Sequence, residues 1–204
     1  MVLETVGGSA YLGAAQFLQN KTYLTAAGVS PFPRSPYLLC SPPLSVHTQS
    51  ILAVESRHSG WVSSSVLKQQ PWNGAFDTPL PPSGAFSLAA QFIASCPSSN
   101  PPLPVQAYPA LNVSSGAPAA GQDVTFAFDR SQVAGNATLS VAWLDGLNVT
   151  YSDLGAQGNT TVPGGFAGTV YAAVVSSREQ APSDANLVSG FAVLQFPFSS
   201  SVTN

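Results

Sequence analysis

Three side chains in this sequence have the types and the spacing of metal ligands. Glu55 and His58 lie three residues apart in a segment with helical apolar periodicity, and the chain has only three glutamates and two histidines. Residues three apart share one face of a helix. Glu-x-x-His is also the unit that di-metal carboxylate sites use in four-helix bundles. The pair therefore predicts metal ligation.

The third candidate ligand, Glu4, lies in a first helix predicted over residues 1–19. With a turn near Asn20, Glu4 lies roughly 24 Å before the turn, at 1.5 Å per residue. If residues 29–49 are left out, Glu55 and His58 lie roughly 21 and 26 Å after it. We therefore expect Glu4 to be level with both across an antiparallel helix pair, on its inward face. The alternative for Glu4 is a favourable charge in a first helical turn.

Residues 29–49 interrupt the second helix, which begins near Lys21 and resumes at Ser50. Five prolines exclude a helix there, namely Pro31, Pro33, Pro36, Pro42 and Pro43. The segment begins with Val-Ser and ends with Gln, which can be encoded by GTGAGT and CAG, common donor and acceptor sequences of introns. We interpret it as a translated intron. The alternative is a disordered Pro-rich insert.

The composition excludes some partners and favours one compartment. Charged residues make up 7% of the 204 residues and the net charge is −3, so no basic surface for nucleic acid is expected. No apolar run approaches the ~20 residues of a membrane span.

Asn-x-Ser/Thr sequons predict a secreted glycoprotein; they begin at Asn20, Asn112, Asn136, Asn148 and Asn159. The chain starts without a signal peptide, so we expect the beginning of a longer protein to be missing.

The helical pattern is predicted to end by residues 69–71, before surface loops at 71–74 and 79–82. A short helix over residues 87–94 is expected to pack back on the others, with Ser83 or Ser87 as its N-cap. Residues 97–109 form a Pro-rich linker. The chain thus divides into a helical domain (1–96), the linker (97–109) and a second domain (110–204).

The second domain shows strand alternation. Val124, Phe126 and Phe128 alternate with small or polar residues, Asp145-Gly146 is a hairpin signal, and residues 168–175 and 187–196 add further strands. Six or seven short strands over roughly 90 residues suggest an immunoglobulin-like sandwich with Trp143 in its core. The predicted fold class is therefore α+β, a helical hairpin followed by a β-sandwich.

Other kinds of active site are not indicated. The second domain has no histidine, which excludes a Ser-His-Asp set there, and the chain has no Gly-x-Ser-x-Gly elbow or phosphate loop. Cys40 and Cys96 can pair in an oxidising compartment, but no neighbouring base would activate either thiol. We predict no catalytic residue.

Several motifs together resemble the secreted fungal ferritin-like domain family, whose members are labelled stress-response or sexual-development proteins. They are Glu4-Thr-Val-Gly-Gly-Ser-Ala-Tyr-Leu-Gly-Ala-Ala15, Leu24-Thr-Ala-Ala-Gly28 and Ile51-Leu-Ala-Val-Glu-Ser-Arg-His58, with a continuation over residues 92–105. The resemblance implies that Glu4, Glu55 and His58 are metal ligands on the third and fourth helices of a four-helix bundle. The first two helices of that bundle have no counterpart in this sequence.

This resemblance sets the functional expectation. The three ligands form half of a di-metal site, which when complete binds iron or manganese and activates oxygen. We expect an oxidase-type activity only in a complete protein, and metal binding or self-association to complete the bundle in this chain. The alternative is a non-catalytic extracellular module that binds cell-wall or matrix glycan, with the helices as scaffold.

Overall fold

The computed structural model describes residues 2–17, 50–115, 117–131, 133 and 137–198. Helix α1 spans Val2–Ala14 and continues as a 3₁₀ turn, Ala15–Phe17. Helix α2 spans Ser50–Trp61 and continues as a π-helical turn, Val62–Val66, while α3 spans Pro82–Ala90. The predicted helices at residues 1–19 and from Ser50 are confirmed within these ranges. The segment 29–49 lies outside the described residues.

In the described part of the chain, seven strands follow the helices and form two antiparallel sheets. They are β1 (Asn112–Val113), β2 (Asp123–Ala127), β3 (Ser140–Asp145), β4 (Asn148–Asp153), β5 (Asn159–Thr161), β6 (Gly168–Val175) and β7 (Leu187–Phe196). The strand orders are β1-β2-β5 and β4-β3-β6-β7. The mixed helix and sheet content confirms the predicted α+β class.

The predicted hairpin at Asp145-Gly146 is confirmed. Strands β3 and β4 pair with Asp145 opposite Asn148, which leaves a two-residue loop. Gly146 takes a φ of +57°, at the first loop position, where a glycine removes the steric cost of positive φ. The loop chemistry therefore sets the register of this edge of the sheet.

A first core lies between the two sheets. It combines Val124 and Phe126 of β2 with Trp143 of β3, and with alternate residues of β6 and β7. Trp143 is fully buried, as the sequence predicts. In β2 only every second residue is buried, which is the pattern of a strand with one face in the core and one in solvent.

A second core covers the other face of the four-stranded sheet. The intervening residues of β3 and β6, among them Leu144 and Tyr171, contact Val6 of α1 together with Leu80 and Leu88. Because the helices cover this face, β6 is buried along almost its whole length. The helices and the sheet thus share a core, while the division into two domains around residues 97–109 stays a prediction.

The predicted N-cap of α3, Ser83 or Ser87, is wrong. The helix begins at Pro82, with Pro81 as the N-cap and no side-chain cap bond, because proline is well suited to the first helical position. Ser83 and Ser87 lie inside the helix and accept hydrogen bonds from the backbone N–H groups of Gln106 and Tyr108, at 3.0 and 2.9 Å. The serines therefore fasten the predicted linker along α3.

The predicted surface loop at residues 79–82 is also wrong, because Leu80 is buried in the second core. Its backbone N–H donates to Ser9 O at 3.0 Å, which fixes this loop against α1. Among the described residues, no helix is both long and apolar enough to cross a bilayer.

Candidate metal centre

Helices α1 and α2 form an antiparallel pair that brings the three predicted ligands together. Glu4 near the start of α1 contacts His58 near the end of α2, whereas Gly8, further along α1, faces Leu52 near the start of α2. The predicted alignment of Glu4 with the Glu-x-x-His unit is therefore observed.

One ligand atom from each of Glu4, Glu55 and His58 lies within 4.8 Å of the other two. His58 Nδ1 lies 3.1 Å from Glu4 Oε2. The two glutamates and the histidine come from two different helices, so the packing of α1 on α2 creates the cluster. Neither helix carries the cluster alone.

The prediction that these side chains point inward is wrong for His58 and Glu4, whereas Glu55 is half-buried. The side chain of His58 is 57% exposed and that of Glu4 is 37% exposed. The apolar contacts of α1 are made with the sheet, through Val6, so the ligand face of the helix pair is left toward solvent. The cluster is a surface site with one open side.

Gly7 creates the space for Glu55. A Cβ added at Gly7 would lie 3.2 Å from Glu55 Oε2, closer than ordinary van der Waals contact between these atoms. The absence of a side chain lets the Glu55 carboxylate lie against α1, next to Glu4. Gly7 lowers the stability of α1 as an isolated helix, but its lack of a side chain allows this contact.

The two carboxyl groups have opposite pKa shifts. Hydrogen bonding to Glu55, and then to His58, lowers the pKa of Glu4. Partial burial, followed by the hydrogen bond and the negative charge of Glu4, raises the pKa of Glu55. The negative charge of one carboxylate disfavours ionisation of its neighbour, so Glu55 ionises less readily beside Glu4 than alone. A bound cation would offset this repulsion.

The donor set fits a divalent metal ion. Two carboxylates and an imidazole suit iron and manganese, which accept oxygen and nitrogen ligands. Ligand atoms about 2.0–2.2 Å from one ion lie at most about 4.4 Å apart, so the 4.8 Å cluster would need only small side-chain rotations. The open side would leave the remaining coordination positions to water.

Four hydroxyl groups outside the predicted site hold α1 in place. Thr5 Oγ1 and Ser59 Oγ are 2.9 Å apart, one residue along from Glu4 and His58. Ser9 Oγ and Tyr171 Oη are 2.9 Å apart, and Tyr171 Oη also donates to Thr5 O at 3.3 Å. Burial raises the pKa of Tyr171, so the phenol stays neutral. No sequence motif marks these contacts, because they join residues more than fifty positions apart.

The other predicted site residues are spread over the surface. The sequon asparagines Asn112, Asn148 and Asn159 are exposed at the first residues of β1, β4 and β5, while Asn20 and Asn136 lie outside the described residues. Cys96 is exposed, and its predicted partner Cys40 is likewise outside the described part.

Comparisons with known protein families and with curated proteins found no match. No protein-family model matches the chain, and no curated protein matches it either. The ferritin-like resemblance therefore rests on the residues that carry it, chiefly Glu4, Glu55 and His58.

Proposed function

We propose that Glu4, Glu55 and His58 bind a divalent metal ion, iron or manganese, on the exposed face of the α1–α2 pair. The main observation in support is that three ligand atoms lie within 4.8 Å of one another. The raised pKa of Glu55 supports the same proposal, because partial burial and the neighbouring charge of Glu4 both disfavour its ionised form, and a bound cation would offset both effects.

The proposal assigns the chain to the ferritin-like proteins as one half of a di-metal site. Bound iron in a complete site supplies oxygen chemistry. In this chain, the three side chains would bind and orient the ion, and the described residues form no second group of three such ligands. We therefore propose metal binding without turnover for the single chain.

We also propose that the protein is secreted and that it self-associates. Exposed sequons at Asn112, Asn148 and Asn159 support a secreted glycoprotein. Exposed apolar side chains on the same helices, Leu3 at 52% and Ile51 at 36%, support self-association, in which a second copy completes the bundle.

Metal titration tests the proposal. We expect the protein to bind Mn²⁺ or Fe²⁺, and Glu55→Ala or His58→Ala to weaken binding at least about tenfold, since even the loss of outer-shell partners costs 10–100-fold. The measurement is isothermal titration calorimetry with each ion under anaerobic conditions, supported by electron paramagnetic resonance of bound Mn²⁺.

The matched control is Glu179→Ala, because Glu179 is an exposed glutamate outside the cluster and its loss changes the net charge equally. It should leave affinity unchanged. Equal affinity of the Glu55→Ala variant and the unchanged protein would end the metal proposal. Sedimentation velocity during the titration would show whether a dimer forms as the ion binds.

Metal affinity is expected to rise with pH. The raised pKa of Glu55 means that its proton persists above the usual range of a glutamate, and a metal ion must displace that proton. Affinity should thus fall as pH is lowered through the raised pKa. Calorimetry in two buffers of different ionisation enthalpy would measure the proton release, and an affinity that does not change with pH would contradict the prediction.

A second candidate function is a non-catalytic extracellular module. The observation that favours it is the second core, in which Val6, Leu80 and Leu88 bind the helices to the sheet, so the helices serve as scaffold. The two sheets, with strand orders β1-β2-β5 and β4-β3-β6-β7 and a buried Trp143 on the third strand, support an immunoglobulin-like sandwich. Such a module would bind a cell-wall or matrix glycan.

A further inference from the structure

A cavity of about 250 Å³ lies where three parts of the chain meet. One wall is the polar face of α2 and the turn after it, with Ser56 and Ser59. The loop of residues 69–77 forms a second wall, and the start of β6 and the end of β7 contribute Thr169 and Gln195. The cavity does not include Glu4, Glu55 or His58.

The charge of the lining restricts the ligand. Asp77 is the one ionisable side chain among the described residues that line the cavity, and none of those residues is a lysine, arginine or histidine. An anionic ligand such as a phosphate or nucleotide would meet no cation and one carboxylate. The other polar groups are hydroxyls and amides, which both donate and accept hydrogen bonds. This lining suits an uncharged ligand rich in hydroxyl groups.

Two exposed aromatic side chains belong to the same lining. Trp72 is 53% exposed and Phe76 is 60% exposed, although both are large and apolar. Exposed aromatic rings beside convergent polar groups are the usual composition of a binding site. A sugar ring offers matching chemistry, with C–H groups for the flat aromatic faces and hydroxyls for the amides.

The loop that carries these rings is fastened to the sheet. Asn73 Oδ1 accepts from Thr169 N at 2.8 Å, and Asn73 Nδ2 donates to Asp77 Oδ1 at 2.7 Å. Gly168, with a φ of +73°, lets Asn73 approach, since an added Cβ would lie 2.7 Å from Asn73 Cα. A loop held in this way loses little conformational entropy when a ligand binds.

We propose that this cavity binds one sugar unit of a neutral polysaccharide, with Trp72 and Phe76 against the ring. The volume supports a single unit, because about 250 Å³ is below the roughly 300–1,000 Å³ of pockets for drug-sized ligands. The inference rests on the second of the proposed functions and gives it a site. It shares no ligand residue with the metal centre.

The test measures binding of neutral oligosaccharides, namely tri- to hexamers of β-linked glucose and of N-acetylglucosamine. We expect at least one series to change the tryptophan fluorescence saturably. Trp72→Ala and Phe76→Ala should each weaken binding about tenfold, the loss of one aromatic contact, as measured by calorimetry. Heparin serves as the anionic probe and should not compete.

Matched controls are Trp61→Ala and Phe92→Ala, since these rings are 63% and 60% exposed but lie outside the cavity. They should bind as the unchanged protein does, and thermal unfolding should show that all four variants fold. No binding in either series, equal weakening by the controls, or binding of heparin or an apolar peptide instead would overturn the inference. The metal titration separates the two proposals, because Glu55→Ala should leave oligosaccharide binding unchanged.

Discussion

Replacing Trp143 with alanine is expected to lower the free energy of unfolding by about 3–5 kcal/mol. The side chain is fully buried, and its ring centroid lies 5.6 Å from those of both Phe126 and Phe166. Trp143 Nε1 also donates to Ser152 Oγ at 2.8 Å. The truncation would leave a cavity between the sheets and remove a hydrogen bond. Urea unfolding followed by circular dichroism would measure the loss.

Trp61→Ala is the control for this substitution, because Trp61 is 63% exposed at the end of α2. Its effect should stay within about 0.5 kcal/mol, as for most surface changes. A loss below about 1 kcal/mol for Trp143→Ala would mean that the indole does not fill a packed core, and the arrangement of the two sheets around it would be wrong.

The sequence predicts the strands well because their signal is local. Alternation in β2 and the apolar runs of β6 and β7 indicate extended chain, and Asp145-Gly146 marks a tight hairpin. The near-continuous apolar run of β6 fits burial on both faces, but it does not show which residues cover the second face. Val6 and Leu80 belong to that cover, and they precede Tyr171 of β6 by 165 and 91 residues, so no local pattern identifies them.

For the candidate metal site, too, one part was predictable from the sequence and another part was not. The helical rise places Glu4 level with Glu55 and His58, and the structure shows the three together. Their exposure was not predictable, because the ligands share a helix face with apolar residues such as Val54. The second core instead uses the α1 face of Val6, and Ser9 on the same side bonds Tyr171. A helix that packs on a sheet through one side leaves another side in solvent.

Gly13→Ala is expected to destabilise the protein by at least about 3 kcal/mol, at the upper end for overpacking. A Cβ at Gly13 would lie 1.7 Å from Leu80 O and 2.6 Å from Leu80 C. These atoms are backbone, and Leu80 is held by its buried side chain and by its hydrogen bond to Ser9 O. Helix α1 would therefore have to move off the sheet. Chemical unfolding followed by circular dichroism measures the change.

Gly8→Ala in the same helix is the matched control. Its Cβ would meet only Leu52 Cδ1, at an ordinary 3.8 Å, so the higher helix propensity of alanine should stabilise the protein by about 0.5–1 kcal/mol. The pair thus isolates the contact with Leu80 from the general effect of removing a glycine. Equal stability of the two variants would show that α1 does not lie against residue 80. The helices would then not be seated on the sheet, and two separate unfolding transitions, one for each predicted domain, would be expected in place of one.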